Sequence, residues 1–467
     1  MRRFYWYFTA YLRKHGKVLI GSILVAIVVF SVVVPSLVKL LEQEQRDYIG
    51  LIGSYTLDNL PPSVLEKISF GLTSTDQEGN PVPAVAERWV VENEGHNYRF
   101  VIKKNLQWHD GQKLVPTDLQ YQFRNVNITT TPNDIIFNLP EVFVPFPNVV
   151  AKPALRYIPE RYWLFKTRQL PIGLGPYRVA NYRENNHQLQ EIVLDGPQHQ
   201  LIYRFYLTEN QAIQAFKRGE VDVLPDLSSR SDIFDWKTVK VKSTLRSDRY
   251  LAVFFDNANP MFEKNIRQAL AYALPKPTDN SRATGPINPQ SWAYLETTKD
   301  YSYDLSRAVE RALDQLPTQP MVFTLTTTAN FQTEAEQIKK SWEEFGHQAV
   351  QACRQKSEIK DKSRCDLFNL SISLKVTNFP DTNDFQVLLI GQQIPTDPDQ
   401  YSLWHSQQRT NFTHYKNTRI DSLLEKGRTT TNQNERLAIY QEFQQFFLED
   451  APVIFIKYLP SYEISRQ

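Results

Sequence analysis

From Tyr98 to Lys103 apolar and polar side chains alternate, with Tyr98, Phe100 and Ile102 on one side and Arg99, Val101 and Lys103 on the other. This is the period-two pattern of a strand burying one face. Trp108-His109-Asp110-Gly111 follows as a turn: Gly111 can take a positive φ, Asp110 can bond its own backbone, and Trp108 offers a large apolar anchor. After Pro116, Thr117 to Gln120 has the spacing of a capping box and predicts a helix start. The stretch reads as a strand, turn and helix corner without chemistry, His109 included. Further along, Thr208 to Gln211 caps a helix through Ala212, Ile213, Ala215 and Phe216 that stops at Gly219, and a strand follows directly, from Glu220 to Leu224. Tyr250 to Phe255 reads as a buried strand, and Asn265 to Leu274 as a helix with Ile266, Ala269, Leu270 and Ala273 on one face. Met321 to Thr326 predicts a strand, and Thr333 to Phe345 a helix ending before Gly346. Strand, helix and strand in that order form the α/β crossover unit. Residues 124–170, rich in Pro and Asn with irregular apolar placement, predict a loop-rich edge.

One stretch departs from both periods. Val18 to Val38 is 21 residues without a charge, about 32 Å of helix, close to the hydrocarbon thickness of a bilayer. Arg2, Arg3, Arg13, Lys14 and Lys17 precede it, while Lys39 is soon followed by Glu42 and Glu44. The bias keeps the N-terminus cytoplasmic and puts the body outside, at the membrane on a single-pass anchor. A cleaved signal peptide is the competing reading, but the run exceeds the usual apolar core and lacks an A-x-A site. With 467 residues the chain is too long for one core. The expected division is 1–17 cytoplasmic, 18–38 transmembrane, 39–49 linker, 50–249 first lobe with a return at 459–467, and 250–458 second lobe. Residues 1–49 carry a net +4, which leaves −2 on 50–467. A near-neutral body argues against nucleic acid as a partner, since phosphate binding needs a concentrated basic surface.

The corner at 98–123 resembles a signature of the peptide/nickel class, family 5, of bacterial extracellular solute-binding proteins, "Y-x-F-x-L-R-x-x-x-x-W-x-D-G-x-x-x-x-A-x-D". Trp108, Asp110, Gly111 and Asp118 stand at the matching positions. Upstream, the segment ending at Trp89 resembles the family's "G-L-x-x-x-D-x-x-G-x-x-x-P-x-L-A-x-x-W". Gly173, Gly175, Pro176 and Tyr177 resemble "G-T-G-P-Y", with Leu174 in place of Thr. Arg267 to Ala273, Tyr303 to Ala308, Asn411 to Leu424 and Glu435 to Val453 continue the ordered matches. The resemblance implies an α/β fold of two periplasmic-binding-protein-like lobes, here preceded by one transmembrane helix. It also implies capture of a peptide-like or small polar solute for delivery to an ABC permease, by a monomer that is not an enzyme and needs no cofactor. A tethered hydrolase and a sensing domain on the same fold are the alternatives.

Motifs with a built-in mechanism are missing: there is no G-x-S-x-G, G-x-x-x-x-G-K-[ST], H-E-x-x-H or C-x-x-C. Asp397 and Asp399 in an Asp-Pro-Asp loop read as turn chemistry. His405 and His414 lie near one another but read as surface or core residues, so no metal site is expected. The ligand-binding expectation falls on Leu388 to Trp404, an apolar strand ending in a polar loop, because open α/β sheets bind ligands beyond the carboxyl ends of their strands. Tyr55, Gln392, Gln393, Thr396 and Trp404 are the lining candidates. In the peptide-binding relatives that the resemblance implies, an Asp in this loop holds the ligand's amino group; here Ile394 stands at that position. The two cysteines, Cys353 and Cys365, flank a polar segment in a body expected to face an oxidising compartment. They read as a disulfide, with two separate buried thiols as the alternative.

Overall fold

A computed structural model of the chain describes residues 45–466 other than 164, 165 and 198, and ahead of residue 45 only positions 5–6, 14–18, 21–22, 26 and 29–30. The apolar run 18–38, expected to span a membrane, lies for the most part outside the described residues. Among the described residues no helix is long and apolar enough to cross a membrane. The first strand, Gln45–Ile52, begins inside the segment expected to be a polar linker. That segment is strand because it pairs in parallel along the whole of His199–Tyr206.

Ten strands form one continuous sheet, in the order Arg178–Asn185, Gln188–Asp195, His199–Tyr206, Gln45–Ile52, Val223–Leu227, Val453–Arg466, Val239–Phe255, Val387–Gln393, Val322–Thr327, Ser371–Val376. Two of them, Val239–Phe255 and Val453–Arg466, are 17 and 14 residues long and run antiparallel through both lobes. Val239 to Arg246 pair with Leu459 to Arg466, and Tyr250 to Phe254 pair with Val453 to Tyr458; the register shifts between Arg246 and Tyr250. An irregularity of this kind bends a strand and increases its twist, so the sheet turns from one lobe into the other here.

Beyond the shift the strand is buried on both faces. Leu251, Val253 and Phe255 enter a core with Ile266, Ala308 and Trp342 from helices Lys264–Tyr272, Leu305–Asp314 and Gln332–Gln355. Tyr250, Ala252 and Phe254 enter a second core with Ile420 and Tyr440 from helices Thr418–Thr429 and Gln433–Asp450. Two covered faces explain why the sequence here is an unbroken apolar run. The first lobe has a further four-stranded sheet, ordered Ala86–Glu92, Asn97–Ile102, Asp134–Asn138, Asn127–Thr130, over a core that holds Tyr98, Phe100 and Trp108.

Three local expectations differ from the structure, and a fourth agrees with it. At the corner, Tyr98, Phe100 and Ile102 are buried and Gly111 takes φ 81°, yet Pro116–Asp118 is one 3-10 turn rather than a helix start. The Asp118 carboxylate, not the Thr117 hydroxyl, accepts from the Val115 amide and the Trp108 indole, both at 3.1 Å. That bond ties the turn to the buried ring, and the chain leaves it extended. Residues 124–170 hold strands as well as loops: besides the two noted above, Arg156–Trp163 pairs with Lys166–Ile172 as a hairpin. Helix Gln332–Gln355 continues straight through Gly346. A Cβ there would stand 2.7 Å from the Phe368 carbonyl, so the glycine serves close packing rather than a helix stop. Cys353, near the end of that helix, is disulfide-bonded to Cys365, with Cα atoms 5.6 Å apart; the thiol alternative is thereby removed.

Candidate functional site

The crossing strands form the floor between the lobes, and it is charged. Arg249 donates two hydrogen bonds to Asp226, at 3.0 and 2.7 Å, and the Ser461 hydroxyl adds a third at 2.7 Å. Burial pushes the Asp226 carboxyl up, but these bonds outweigh it and hold the group below its ordinary value. Arg246 grips Asp248 in the same two-pronged way, at 2.8 and 2.7 Å. Beside them Lys457 meets Glu334 at 2.8 Å.

The loop after Val387–Gln393 closes one side. The Ile394 amide donates to the Asp248 carbonyl at 2.8 Å while its side chain is buried in the second-lobe core. Asp397 accepts from the Asp399 amide at 2.8 Å and from Asn148 of the first lobe at 2.6 Å, with Arg436 at 3.7 Å. Burial pushes this carboxyl above its ordinary value in spite of Arg436. Asp399 accepts from Arg428 at 2.9 Å, whose guanidinium lies 3.9 Å from the Tyr401 ring and 5.0 Å from the first-lobe Phe143 ring. Main-chain bonds also cross between the lobes, Val144 to Arg428 at 2.8 Å and Trp292 to Glu78 at 3.2 Å. The lobes therefore face each other in contact.

The expected lining residues fall in two groups. Tyr55 bonds the Ile52 carbonyl, its ring packs on Phe205, and its hydroxyl is held up by burial and then by the charge of Asp226. Gln392 and Gln393 pair with Tyr250 and Arg249. Thr396 touches the first lobe, since a Cβ on Gly79 would come within 2.8 Å of its carbonyl. Tyr55 is thus within the influence of Asp226, Gln393 stands opposite Arg249 in the ladder, and Thr396 lies at the Gly79 turn. Trp404 is 3% exposed, packed between Phe447 and Phe254 in the core beneath the loop. His405 and His414 lie apart on separate partners, Glu425 and Asp256, and among the described residues no group of three or more His, Cys, Asp or Glu could hold a metal ion. A cavity of about 500 Å³ opens at the carboxyl ends of Gln45–Ile52 and His199–Tyr206, lined by Gly53, Ser54, Arg204 and Leu207. A larger one, about 1070 Å³, runs along helix Gln332–Gln355 and is lined by Glu334, Lys339 and Ile456 among others.

Sequence reasoning missed Asp226, Arg246, Asp248, Arg249, Asn148 and Arg436. One signal was available: Arg246, Asp248 and Arg249 are three charges directly ahead of the apolar run 250–255, and charges at the mouth of a buried strand need partners.

Residues 80–412 match the sequence profile of the bacterial extracellular solute-binding proteins, family 5 Middle. The chain is 22% identical to the oligopeptide-binding protein AppA of Bacillus subtilis, over 86% of this chain and 83% of that protein. It is 21% identical to the dipeptide-binding protein of Escherichia coli, over 83% and 82%. Among solved structures it superimposes on NikZ from Campylobacter jejuni in complex with Ni(L-His), with a TM-score of 0.69 at 19% identity, covering 90% of this chain and 94% of that one. DppA from Helicobacter pylori in complex with the peptide STSA gives 0.64 at 17% identity, covering 92% and 95%. The two sequence relatives are named as binding proteins and the two structures share the fold, and with the profile spanning most of the body the chain belongs to family 5 of the bacterial extracellular solute-binding proteins.

Proposed function

We propose that the protein captures a peptide-like or small polar solute between its lobes and delivers it to an ABC permease. The observation that carries this reading is the pair of strands that run through both lobes and shift register between Arg246 and Tyr250. A hinge built this way lets two rigid lobes close on a solute. Relatives named for oligopeptide and dipeptide binding support it. In this reading 50–249 with 459–467 is one lobe and 250–458 the other, Tyr55, Gln392, Gln393 and Thr396 line the cleft, and Trp404 supports the loop from below. The run 18–38 anchors the body outside the membrane, and protease added to intact cells is expected to remove it; a fully protected body would refute the anchor. No specific observation favours the hydrolase or the sensor.

The test is calorimetry with the solutes released from the purified protein. Gln392→Ala is expected to weaken binding by about 1–3 kcal/mol through an unpaired ligand group, with no comparable loss of thermal stability. A protein that retains no solute and binds none would overturn the reading.

A further inference from the structure

We infer that the first half of the crossing strand Val239–Phe255 is an open sheet edge that takes up an extended acidic segment of a partner protein as a further strand.

The strand has a neighbour on both sides only in its second half. Val239 to Arg246 pair residue by residue with Leu459 to Arg466, while on the other side Val387–Gln393 reaches Arg249 to Phe255 and goes no farther. Among the described residues, that side of Val239 to Arg246 faces no strand. A row of backbone N–H and C=O groups is therefore left for an incoming strand to pair with. Edges are commonly closed to newcomers by shortness, proline or bulges. Arg178–Asn185, at one end of the same sheet, is broken by register shifts at Val179/Asn181 and Arg183/Glu184. Val239 to Arg246 has neither a shift nor a proline, and Lys240 to Leu245 are exposed without a break.

The charges on this edge select the partner. Strand alternation puts Lys240 and Lys242 on one face, and Val241 and Leu245, each 40% exposed, on the other. Charges nearby are paired, Lys217 with Asp232, Arg246 with Asp248 and Arg466 with Asp222. Lys237, Lys240 and Lys242 have no ion pair among the described residues, and no acidic residue lies between Lys237 and Leu245. A second copy of the strand brings another set of lysines alongside the first, and like charges side by side in a sheet repel. The chain's own residues 1–49, at net +4, are disfavoured for the same reason. A strand with carboxylates on the lysine face and apolar side chains beside Val241 and Leu245 satisfies charge, apolar surface and backbone together, which is strand addition. An anionic lipid surface meets the lysines but leaves the backbone row unpaired.

Fluorescence anisotropy on the full-length protein in detergent, with fluorescein-labelled octapeptides TEVEVEVT, TKVKVKVT and TEVEPEVT, tests this. The proline peptide keeps the charge of the first but loses a backbone donor and cannot pair as a regular strand. TEVEVEVT is expected to bind about tenfold more tightly than either of the others, and to lose about tenfold in affinity to the double variant Lys240→Gln/Lys242→Gln, whose thermal unfolding stays unchanged. Equal binding of TEVEVEVT and TEVEPEVT would overturn the docking edge, because charge alone would then suffice, as it does for a lipid surface. Undiminished affinity in the double variant would overturn it by placing the peptide elsewhere, the space between the lobes included, and would leave solute capture intact. Absence of TEVEVEVT binding would overturn it as well.

Discussion

Lys276 shows how a single side chain couples to the fold. Its ammonium donates to the carbonyls of Ala271, Leu274 and Tyr301, the last at 2.6 Å, and so serves the end of helix Lys264–Tyr272. Burial, with a smaller push from Arg282, lowers its pKa from 10.5 to about 7. Between about 7 and 10.5 the unfolded chain therefore holds more protons than the folded one, and stability rises with pH across that window. The melting temperature is expected to climb from pH 7 to pH 9.5 more steeply than in Lys276→Met, which has no proton to lose there. Parallel slopes in thermal unfolding would refute the coupling. The substitution also strips three carbonyls of their donor, so it is expected to cost about 1–3 kcal/mol at pH 7.

Among the elements, helix Gln332–Gln355 depends most on what lies beyond it. Ala335, Ile338, Trp342 and Phe345 bury one face, as their spacing predicts, and the disulfide ties the far end of the helix to the 3-10 turn Lys362–Phe368. Both cysteines are fully buried. Cross-linking across 12 positions removes freedom from the unfolded chain, and in the chain-entropy model a loop of this size contributes roughly 3 kcal/mol. Replacing both cysteines by Ala is expected to lower the urea midpoint accordingly while the slope stays close to that of the parent. An unchanged midpoint would show that the surrounding core alone holds the segment.

At the scale of the whole molecule, the proposed closure of the lobes would draw on contacts that cross between them. Asn148, in the helical turn Phe146–Val149 of the first lobe, bonds Asp397 of the second at 2.6 Å. A hydrogen bond to a charged partner is worth about 1.5–3 kcal/mol, enough to shift a closed-to-open ratio by about tenfold or more. Asn148→Ala is expected to enlarge the radius of gyration of the solute-free protein in small-angle scattering and to leave thermal unfolding nearly unchanged. Identical scattering from the two proteins would mean that the remaining contacts suffice for closure.

What the chain's own order of residues determined is local or combinatorial. Period-two and helical patterns placed the strand at 97–102, the helix at 209–217 and the buried run at 250–255, because burying one face or both leaves a repeat that can be read along the chain. With only two cysteines, one pairing was possible. Tertiary structure alone decided the rest. Asp118 rather than Thr117 governs the 116–118 turn because the Trp108 ring folds back to within 3.1 Å of it. Gly346 sits inside a helix because Phe368 packs against its bare Cα. Asp226 finds Arg249 and Asn148 finds Asp397, 23 and 249 positions away, only once the crossing strands and facing lobes bring them together. Such pairs leave no repeat in the sequence: a charged or amide side chain is compatible with many partners, and the fold alone selects one.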